Sequence, residues 1–300
     1  MYSRSMRVRV LAAIFLVVLI SSSTSSGAAK AAKVPRAPAI LLAAGDIGDC
    51  NSDGAKLTAR LIASRPGTVA AIGDTAYPYG STSDFARCYQ PTWGAFKART
   101  RPALGNHEYY STNAAPYFAY FGRKAAAPGG YYSYKLGSWH IVVINSNCDK
   151  IGGCGAGSAQ LSWLRKDLAR HPARCTLAYW HQPRFSSGMH GSNELMQPIW
   201  ATLAKAGADI VLNGHDHDYQ RYVPLNAAGK VDLKRGMREF VVGTGGGPLR
   251  PITGTTVGNR KSIAFQWGVL RLKLAENRAY WRFLSTPNGR ILDSGSSHCH

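Results

Sequence analysis

The sequence is poor in acidic residues, has no apolar segment of membrane-spanning length and has no run of like charge. Its 16 Asp and Glu stand against 36 Lys and Arg, which gives a formal net charge of +20. The longest apolar run, residues 10–20, is too short to cross about 30 Å of hydrocarbon as a helix, so we expect no stable membrane span. Such a positive field attracts phosphate esters, nucleic acid, lipid head groups or anionic cell-surface polymers, although scattered basic residues equally serve solubility.

The first 31 residues have the pattern of a secretory signal peptide. Arg4, Arg7 and Arg9 precede the apolar run, and a small, polar segment with a cleavage-type site at Ala29-Lys30-Ala31 follows it. We therefore expect residues 1–31 to be removed, with an approximate boundary, and residues 32–38 to be a lead-in. The mature protein would then be secreted or otherwise extracytoplasmic.

No Cys-x-x-Cys pair is present, which argues against a zinc ribbon. All six cysteines follow residue 31, and an even number in a chain bound for an oxidising compartment indicates disulfides. Six cysteines can pair in fifteen ways, so the sequence leaves the connectivity open. The expected pairs are Cys148–Cys154, whose intervening residues are loop-like, followed by Cys50–Cys88 and Cys175–Cys299.

Short apolar runs alternate with amphipathic segments, and this alternation predicts an α/β domain. No linker or repeat interrupts the pattern, so we expect one domain over residues 39–300. The expected helices cover residues 55–64, 85–98, 159–169 and 195–206. The expected strands cover residues 40–44, 69–72, 131–136, 140–145, 175–180, 209–212, 239–242, 268–274 and 278–284.

Five short polar motifs follow apolar segments, and each carries side chains that bind metals. Ligand-bearing loops at the carboxyl ends of strands converge at one edge of an α/β sheet. Where glycine precedes the ligand, it lets the chain turn sharply. The motifs are Gly45-Asp46-Ile47-Gly48, Gly73-Asp74-Thr75-Ala76-Tyr77, Gly105-Asn106-His107-Glu108, Trp180-His181-Gln182-Pro183 and Gly214-His215-Asp216-His217.

The ligand types favour two metal ions of a particular kind. Carboxylate, amide and phenolate oxygens combined with imidazole nitrogens suit iron, zinc or manganese rather than calcium alone. A carboxylate that bridges two cations about 3.5–4 Å apart is typical of two-metal phosphoester chemistry. A single Gly-Asp after a strand is usually a turn, but five motifs together indicate a two-metal hydrolase.

The five motifs, in this order, resemble those of the calcineurin-like metallophosphoesterase superfamily. The position of Tyr77, three residues after Asp74, resembles the pattern of the purple acid phosphatase branch. The resemblance covers about residues 40–300 and implies a catalytic domain over residues 39–300. The implied fold is a four-layer α/β/β/α sandwich with mixed sheets and the metal site at the carboxyl ends of strands. The implied ligands are Asp46, Asp74, Tyr77 and His217 for a ferric ion, and Asp74, Asn106, His181 and His215 for divalent iron, zinc or manganese.

The resemblance also implies roles around the substrate. His107 would lie beside the leaving group as proton donor or transition-state stabiliser, and Asn106 would also contact the substrate. His190 would face the substrate, with Glu194 supporting it. Gly191 stands where plant members have a second histidine, so neither the substrate range nor the pH optimum is implied.

These implications predict a secreted phosphatase that hydrolyses phosphate monoesters by attack of a metal-bound hydroxide. Two other hypotheses stay open. The basic charge also suits a phosphodiesterase that acts on nucleic acid or lipid head groups with the same metals. A non-catalytic exported protein that binds polyanions at the cell surface would need the charge alone. The sequence leaves the oligomeric state open.

Overall fold

Residues 37–300 form two β-sheets with helices on their outer faces. The computed structural model describes these residues together with residues 1, 2, 11 and 13, so the predicted signal peptide and lead-in lie almost entirely outside the described residues. The strands are β1 Ala39–Ala44, β2 Thr68–Ile72, β3 Thr100–Ala103, β4 Tyr132–Leu136, β5 Trp139–Val143, β6 Thr176–Tyr179, β7 Ile210–Asn213, β8 Tyr219–Tyr222, β9 Arg238–Val242, β10 Asn259–Ile263, β11 Gly268–Leu274, β12 Arg278–Ser285 and β13 Arg290–His298. The α-helices are α1 Gly54–Ala63, α2 Thr82–Asp84, α3 Ala115–Phe121, α4 Ala159–Arg170 and α5 Gln197–Lys205.

Both sheets are mixed. The first has the order β13-β12-β11-β1-β2-β3, in which β1, β2 and β3 run parallel and the last three strands of the chain are antiparallel. The second has the order β10-β8-β9-β7-β6-β5-β4, with β5, β6, β7 and β9 parallel. The parallel strands of each sheet therefore direct the loops that follow them toward a common edge.

The two sheets pack face to face, and the alternation of side chains along each strand divides the apolar residues between two cores. Ile141 and Val143 of β5 join the core between the sheets, whereas Val142 and Ile144 join a second core beneath α4 and α5. Helix α1 packs on the first sheet through Leu61 and Ile62. This layering confirms the predicted α/β/β/α sandwich.

The local predictions differ from the structure in several places. Residues 85–98 do not form one helix, because a π-helical turn ends at Tyr89 and a 3-10 segment begins only at Trp93. Pro91 lies between them, where a proline removes a backbone donor and breaks helical pairing. Strands β8, β10 and β13 were not predicted, because their largely polar sequences lack a long apolar run, and helix α3 was not predicted either. Ser158 caps α4 by accepting a hydrogen bond from the Leu161 amide.

All six cysteines are paired, and the pairs are the expected ones. The disulfides are Cys50–Cys88, Cys148–Cys154 and Cys175–Cys299. The first attaches the loop after β1 to the segment that follows α2. Among the described residues, no helix combines the length and apolarity that crossing a bilayer requires.

We expect the Cys50–Cys88 bond to contribute more stability than the Cys148–Cys154 bond. The first closes a sequence separation of 38 residues and the second a separation of 6. Loop-closure entropy then gives about 4 and about 2 kcal/mol respectively. Denaturant unfolding of the two Cys→Ser double variants measures the difference. An equal loss, or a larger loss for the short loop, would contradict this reasoning.

Candidate metal centre

Each of the five motifs lies directly beyond the carboxyl end of a strand. Asp46 follows β1, Asp74 follows β2, and Asn106 follows β3 in the first sheet. His181 follows β6 and His215 follows β7 in the second sheet. Because these ends meet where the sheets face each other, ligands from distant parts of the chain come together, as the motif positions predict.

Three of the predicted ligands have backbone conformations that L-residues rarely adopt. The φ angles are 60° at Asp46, 45° at Asp74 and 71° at His215. Such left-handed conformations are costly and persist only where surrounding contacts impose them. At Gly105 the constraint is steric, because a Cβ atom there would collide with the Asp74 carboxylate and backbone amide. The loops therefore hold these ligands in place even though the backbone conformation there is unfavourable.

The first predicted ligand set forms a tight group of four polar atoms. The Tyr77 hydroxyl lies 2.9 Å from Asp46 Oδ1, 3.1 Å from Asp74 Oδ2 and 3.2 Å from His217 Nε2. His217 Nε2 is also 3.2 Å from Asp46 Oδ1. One hydroxyl proton satisfies only one of these acceptors, whereas one cation satisfies all four atoms. The donor set and its spacing therefore fit a metal ion.

The second predicted set shares Asp74 with the first. His181 Nε2 lies 3.2 Å from Asp74 Oδ2, the same oxygen that contacts Tyr77. His181 Nε2 and Asn106 Oδ1 are both buried without a hydrogen-bond partner among the described residues. The His215 ring lies 5.1 Å from the His181 ring, centroid to centroid. Buried polar atoms without partners are costly, and a second metal ion would satisfy them.

Backbone carbonyls orient two of the histidines. His181 Nδ1 donates to the Ile72 carbonyl at 2.8 Å, and His217 Nδ1 donates to the Pro248 carbonyl at 2.5 Å. A carbonyl can only accept, so the proton of each neutral ring is on Nδ1. The lone pair of Nε2 then faces the carboxylates, which is the usual arrangement of a histidine that binds a metal.

In the protein without metal ions, the pKa values of several side chains at this site are strongly shifted. Burial lowers the pKa of His181, but Asp74 and Asp46 outweigh it and raise that pKa to about 10. Burial lowers the pKa of His215 to about 3, aided by the charge of His181. Burial and the two carboxylates raise the pKa of Tyr77 well above its usual value. The carboxylates thus create a buried negative field that favours any cation able to enter it.

Glu108 holds two of the ligand loops together, a role that the sequence analysis missed. Its carboxylate is fully buried. Oε2 accepts hydrogen bonds from the Asp74 amide at 3.0 Å and the Gly105 amide at 2.7 Å. Oε1 accepts from the amide and hydroxyl of Thr75, both at 2.7 Å. The only feature of the sequence that pointed to this role of Glu108 was its position directly after His107 in the third motif.

His107 lies at the entrance of the centre. Its Nδ1 donates to the Pro78 carbonyl at 2.6 Å, and its Nε2 lies 3.7 Å from Asp74 Oδ2. The ring packs between Tyr77 and Tyr110, with centroid distances of 4.5 and 4.8 Å. Nε2 is thus the nitrogen that faces the carboxylates, and the role of His107 beside the substrate stays a prediction.

His190 lies close to the metal centre, whereas Glu194 forms an ion pair away from the His190 ring. The His190 ring is 4.4 Å from the His215 ring, and its backbone amide donates to Asp216 Oδ1 at 2.7 Å. Glu194 Oε2 pairs with Arg184 Nη2 at 2.7 Å. His190, Glu194 and His215 line an open cavity of about 340 Å³. Glu194 therefore borders the cavity without a contact that would orient His190.

Comparison with known proteins assigns the family. Residues 34–219 match the family model described as calcineurin-like phosphoesterase, and the chain belongs to that family. It is 29% identical over 205 residues to purple acid phosphatase 15 of Arabidopsis thaliana, covering 54% of this chain and 37% of that protein. It is 27% identical over 260 residues to purple acid phosphatase 21 of the same plant, covering 72% of this chain and 57% of that protein.

A solved structure agrees on the fold. The purple acid phosphatase PPD1 from yellow lupin seeds superposes with a TM-score of 0.70 at 19% identity, covering 87% of this chain and 54% of that one. The chain thus spans between about a third and just over half of these three plant proteins. These findings confirm the superfamily, the purple acid phosphatase-like branch and the fold that the motifs predict.

Proposed function

We propose that this protein is an extracytoplasmic phosphatase that binds two metal ions and hydrolyses phosphate monoesters. The observation that carries the proposal is Asp74 Oδ2, which lies 3.1 Å from the Tyr77 hydroxyl and 3.2 Å from His181 Nε2. One carboxylate oxygen thus joins two ligand groups. Membership of the calcineurin-like phosphoesterase family supports ester hydrolysis.

The proposed ligands are the two sets already described, with Asp74 common to both. When bound, the two ions would supply Lewis acidity, an activated water and neutralisation of charge on the phosphoryl group. The chain's own contribution is to hold the ligands rigidly, through the Ile72 and Pro248 carbonyls on the histidines and Glu108 on the loops. Such preorganisation is a large part of catalysis in phosphoryl transfer.

His107 is the proposed proton donor to the leaving group. The Pro78 carbonyl fixes the tautomer and the orientation of the ring, so that Nε2 points toward the metal ligands. A protonated Nε2 can donate to the ester oxygen as the bond to phosphorus breaks. His190, whose ring lies beside that of His215 at the border of the cavity, is proposed to contact the phosphoryl oxygens.

A ferric ion is the proposed occupant of the Tyr77 site, with divalent iron, zinc or manganese in the other. A phenolate bound to a ferric ion absorbs visible light by charge transfer. We expect the iron-loaded protein to be coloured and Tyr77→Phe to lose that band while its fold is retained. Absorption spectra with metal analysis measure this. A colourless, iron-free and active wild type would contradict the ferric assignment.

Export is proposed on two grounds. The first 31 residues have the signal-peptide pattern, and the three disulfides suit an oxidising compartment. Fractionation of cells that produce the full-length protein, with sequencing of its amino terminus, tests this. An uncleaved protein that stays in the cytoplasm with free thiols would contradict it.

The activity is tested by comparing an aryl phosphate monoester with the matching aryl diester. The protein is loaded with iron and one divalent metal and assayed from acidic to neutral pH. We expect monoester hydrolysis to dominate and chelation to remove it. A dominant diester activity would favour the phosphodiesterase hypothesis, and retained polyanion binding without any hydrolysis would favour the non-catalytic one. Either result would overturn the proposal.

A further inference from the structure

A second cluster of ligand-type side chains lies at the opposite edge of the second sheet. His140 is at the start of β5, and Asp167 and His171 are at the carboxyl end of α4. One atom from each of these residues lies within 4.8 Å of the others. Strand β5 runs parallel to β6, and His181 follows the far end of β6. The cluster is therefore separate from the metal centre.

The buried atoms of this cluster lack partners. His140 and Asp167 are each 6% exposed. Both ring nitrogens of His140, and Asp167 Oδ2, have no hydrogen-bond partner among the described residues, although His140 Nε2 lies 3.0 Å from Asp167 Oδ2. The two atoms are close, but the ring is not oriented to donate to the carboxylate. Two ligands of one zinc ion, each about 2.0–2.2 Å from it, can lie about 3 Å apart.

Neighbouring groups leave suitable lone pairs for a metal ion. Ser133 Oγ donates to Asp167 Oδ1 at 2.7 Å, which leaves Oδ2 free. His171 Nδ1 lies 3.0 Å from both the Asp167 carbonyl oxygen and Asp167 Oδ1, which can only accept, so in the neutral ring Nδ1 carries the proton and Nε2 the lone pair. The rings of His140 and His171 are 5.3 Å apart, centroid to centroid. Hydrogen bonds of this kind orient metal ligands in proteins.

A cavity of about 590 Å³ opens onto the cluster, and basic side chains line it. Besides His140 and His171, the lining includes Lys135, Arg170 and Arg174. A zinc ion held by two imidazoles and one carboxylate keeps one positive charge and one open coordination position. The basic lining opposes a bare cation but favours an anion at that open position.

We propose that His140, Asp167 and His171 bind a zinc ion, with the fourth position open to the cavity and filled by water or a small anion. Two nitrogens and one carboxylate oxygen are a ligand set that zinc takes. The ion would join the end of α4 to the start of β5. This proposal is independent of the activity at the other metal centre.

The test is a titration of the metal-stripped, full-length protein with zinc chloride. We expect the wild type to bind one more zinc equivalent than His171→Ala, whose side chain is 56% exposed, so that its removal opens no buried cavity. His298→Ala, at an exposed histidine of β13, is the matched control and should bind zinc as the wild type does. Because only the difference between variants counts, the result does not depend on the occupancy of the other centre.

A second measurement uses anomalous scattering at the zinc edge from crystals of the titrated protein. We expect a peak between His140 Nε2 and Asp167 Oδ2, and no such peak in His171→Ala. Aryl phosphate hydrolysis should be the same in both proteins, so failure of the proposed activity stays distinguishable. Equal zinc stoichiometry in wild type and His171→Ala, or no peak at this position, would overturn the proposal and leave a buried histidine–aspartate ion pair.

Discussion

Asp74→Asn is expected to lower kcat/KM for an aryl phosphate by about a thousandfold or more. The substitution keeps the shape of the side chain but removes the only charge common to both ligand groups, whose atoms lie 3.1 and 3.2 Å from Asp74 Oδ2. Two-metal stabilisation of transition-state charge contributes several kcal/mol, and about 4 kcal/mol corresponds to about a thousandfold in rate. Steady-state kinetics and metal analysis of the same preparation measure both consequences.

The matched control is Asp53→Asn, an exposed aspartate whose side chain pairs with Lys56 on the surface. It should keep both metal content and rate. If Asp74→Asn retained two ions and a rate within tenfold of the wild type, Asp74 would not bridge the ions. The two-metal account would then need another shared ligand.

Glu108→Gln is expected to weaken metal binding and activity by about 10- to 100-fold, although Glu108 is not itself a proposed ligand. Its two oxygens accept four hydrogen bonds from Asp74, Thr75 and Gly105. A glutamine amide has only one accepting oxygen, so in either orientation its NH₂ group faces at least one backbone amide donor. Changes to groups that orient metal ligands typically have effects of this size.

The measurement for Glu108→Gln is metal affinity by competition with a chelator, alongside kcat and KM and the free energy of unfolding. Glu276→Gln, at an exposed glutamate between β11 and β12, is the control. A positioning role predicts that excess metal partly restores the rate of Glu108→Gln. Lower stability with unchanged metal affinity and unchanged rate would instead indicate that Glu108 only supports the fold.

The sequence predicts that the candidate ligands come together because they are attached to the most regular part of the fold. Apolar runs such as Leu41–Ala44 and Val69–Ile72 identify strands, and polar residues directly after them must lie at one edge. The order of the motifs then suffices for the fold and family. The disulfide expectations also agree with the structure, although the sequence itself left other pairings open.

Interactions between distant loops could not be predicted from the sequence. The contact of Glu108 with Asp74 and Thr75 exists because two loops from neighbouring strands cross, and no local pattern encodes that crossing. The ion pair between Glu194 and Arg184 could not be predicted either, because it depends on how the loop after β6 folds back. Short polar strands such as β8 form because a neighbouring strand offers backbone partners, not because of their own composition.

The most direct test of the two-metal account measures metal content and aryl phosphate hydrolysis in one preparation of the full-length protein. The account predicts two ions per chain, loss of hydrolysis when a chelator removes them, and recovery when iron and a divalent metal return. Hydrolysis that survives complete removal of metal would contradict it. Two bound ions without hydrolysis of any phosphate ester would contradict it as well.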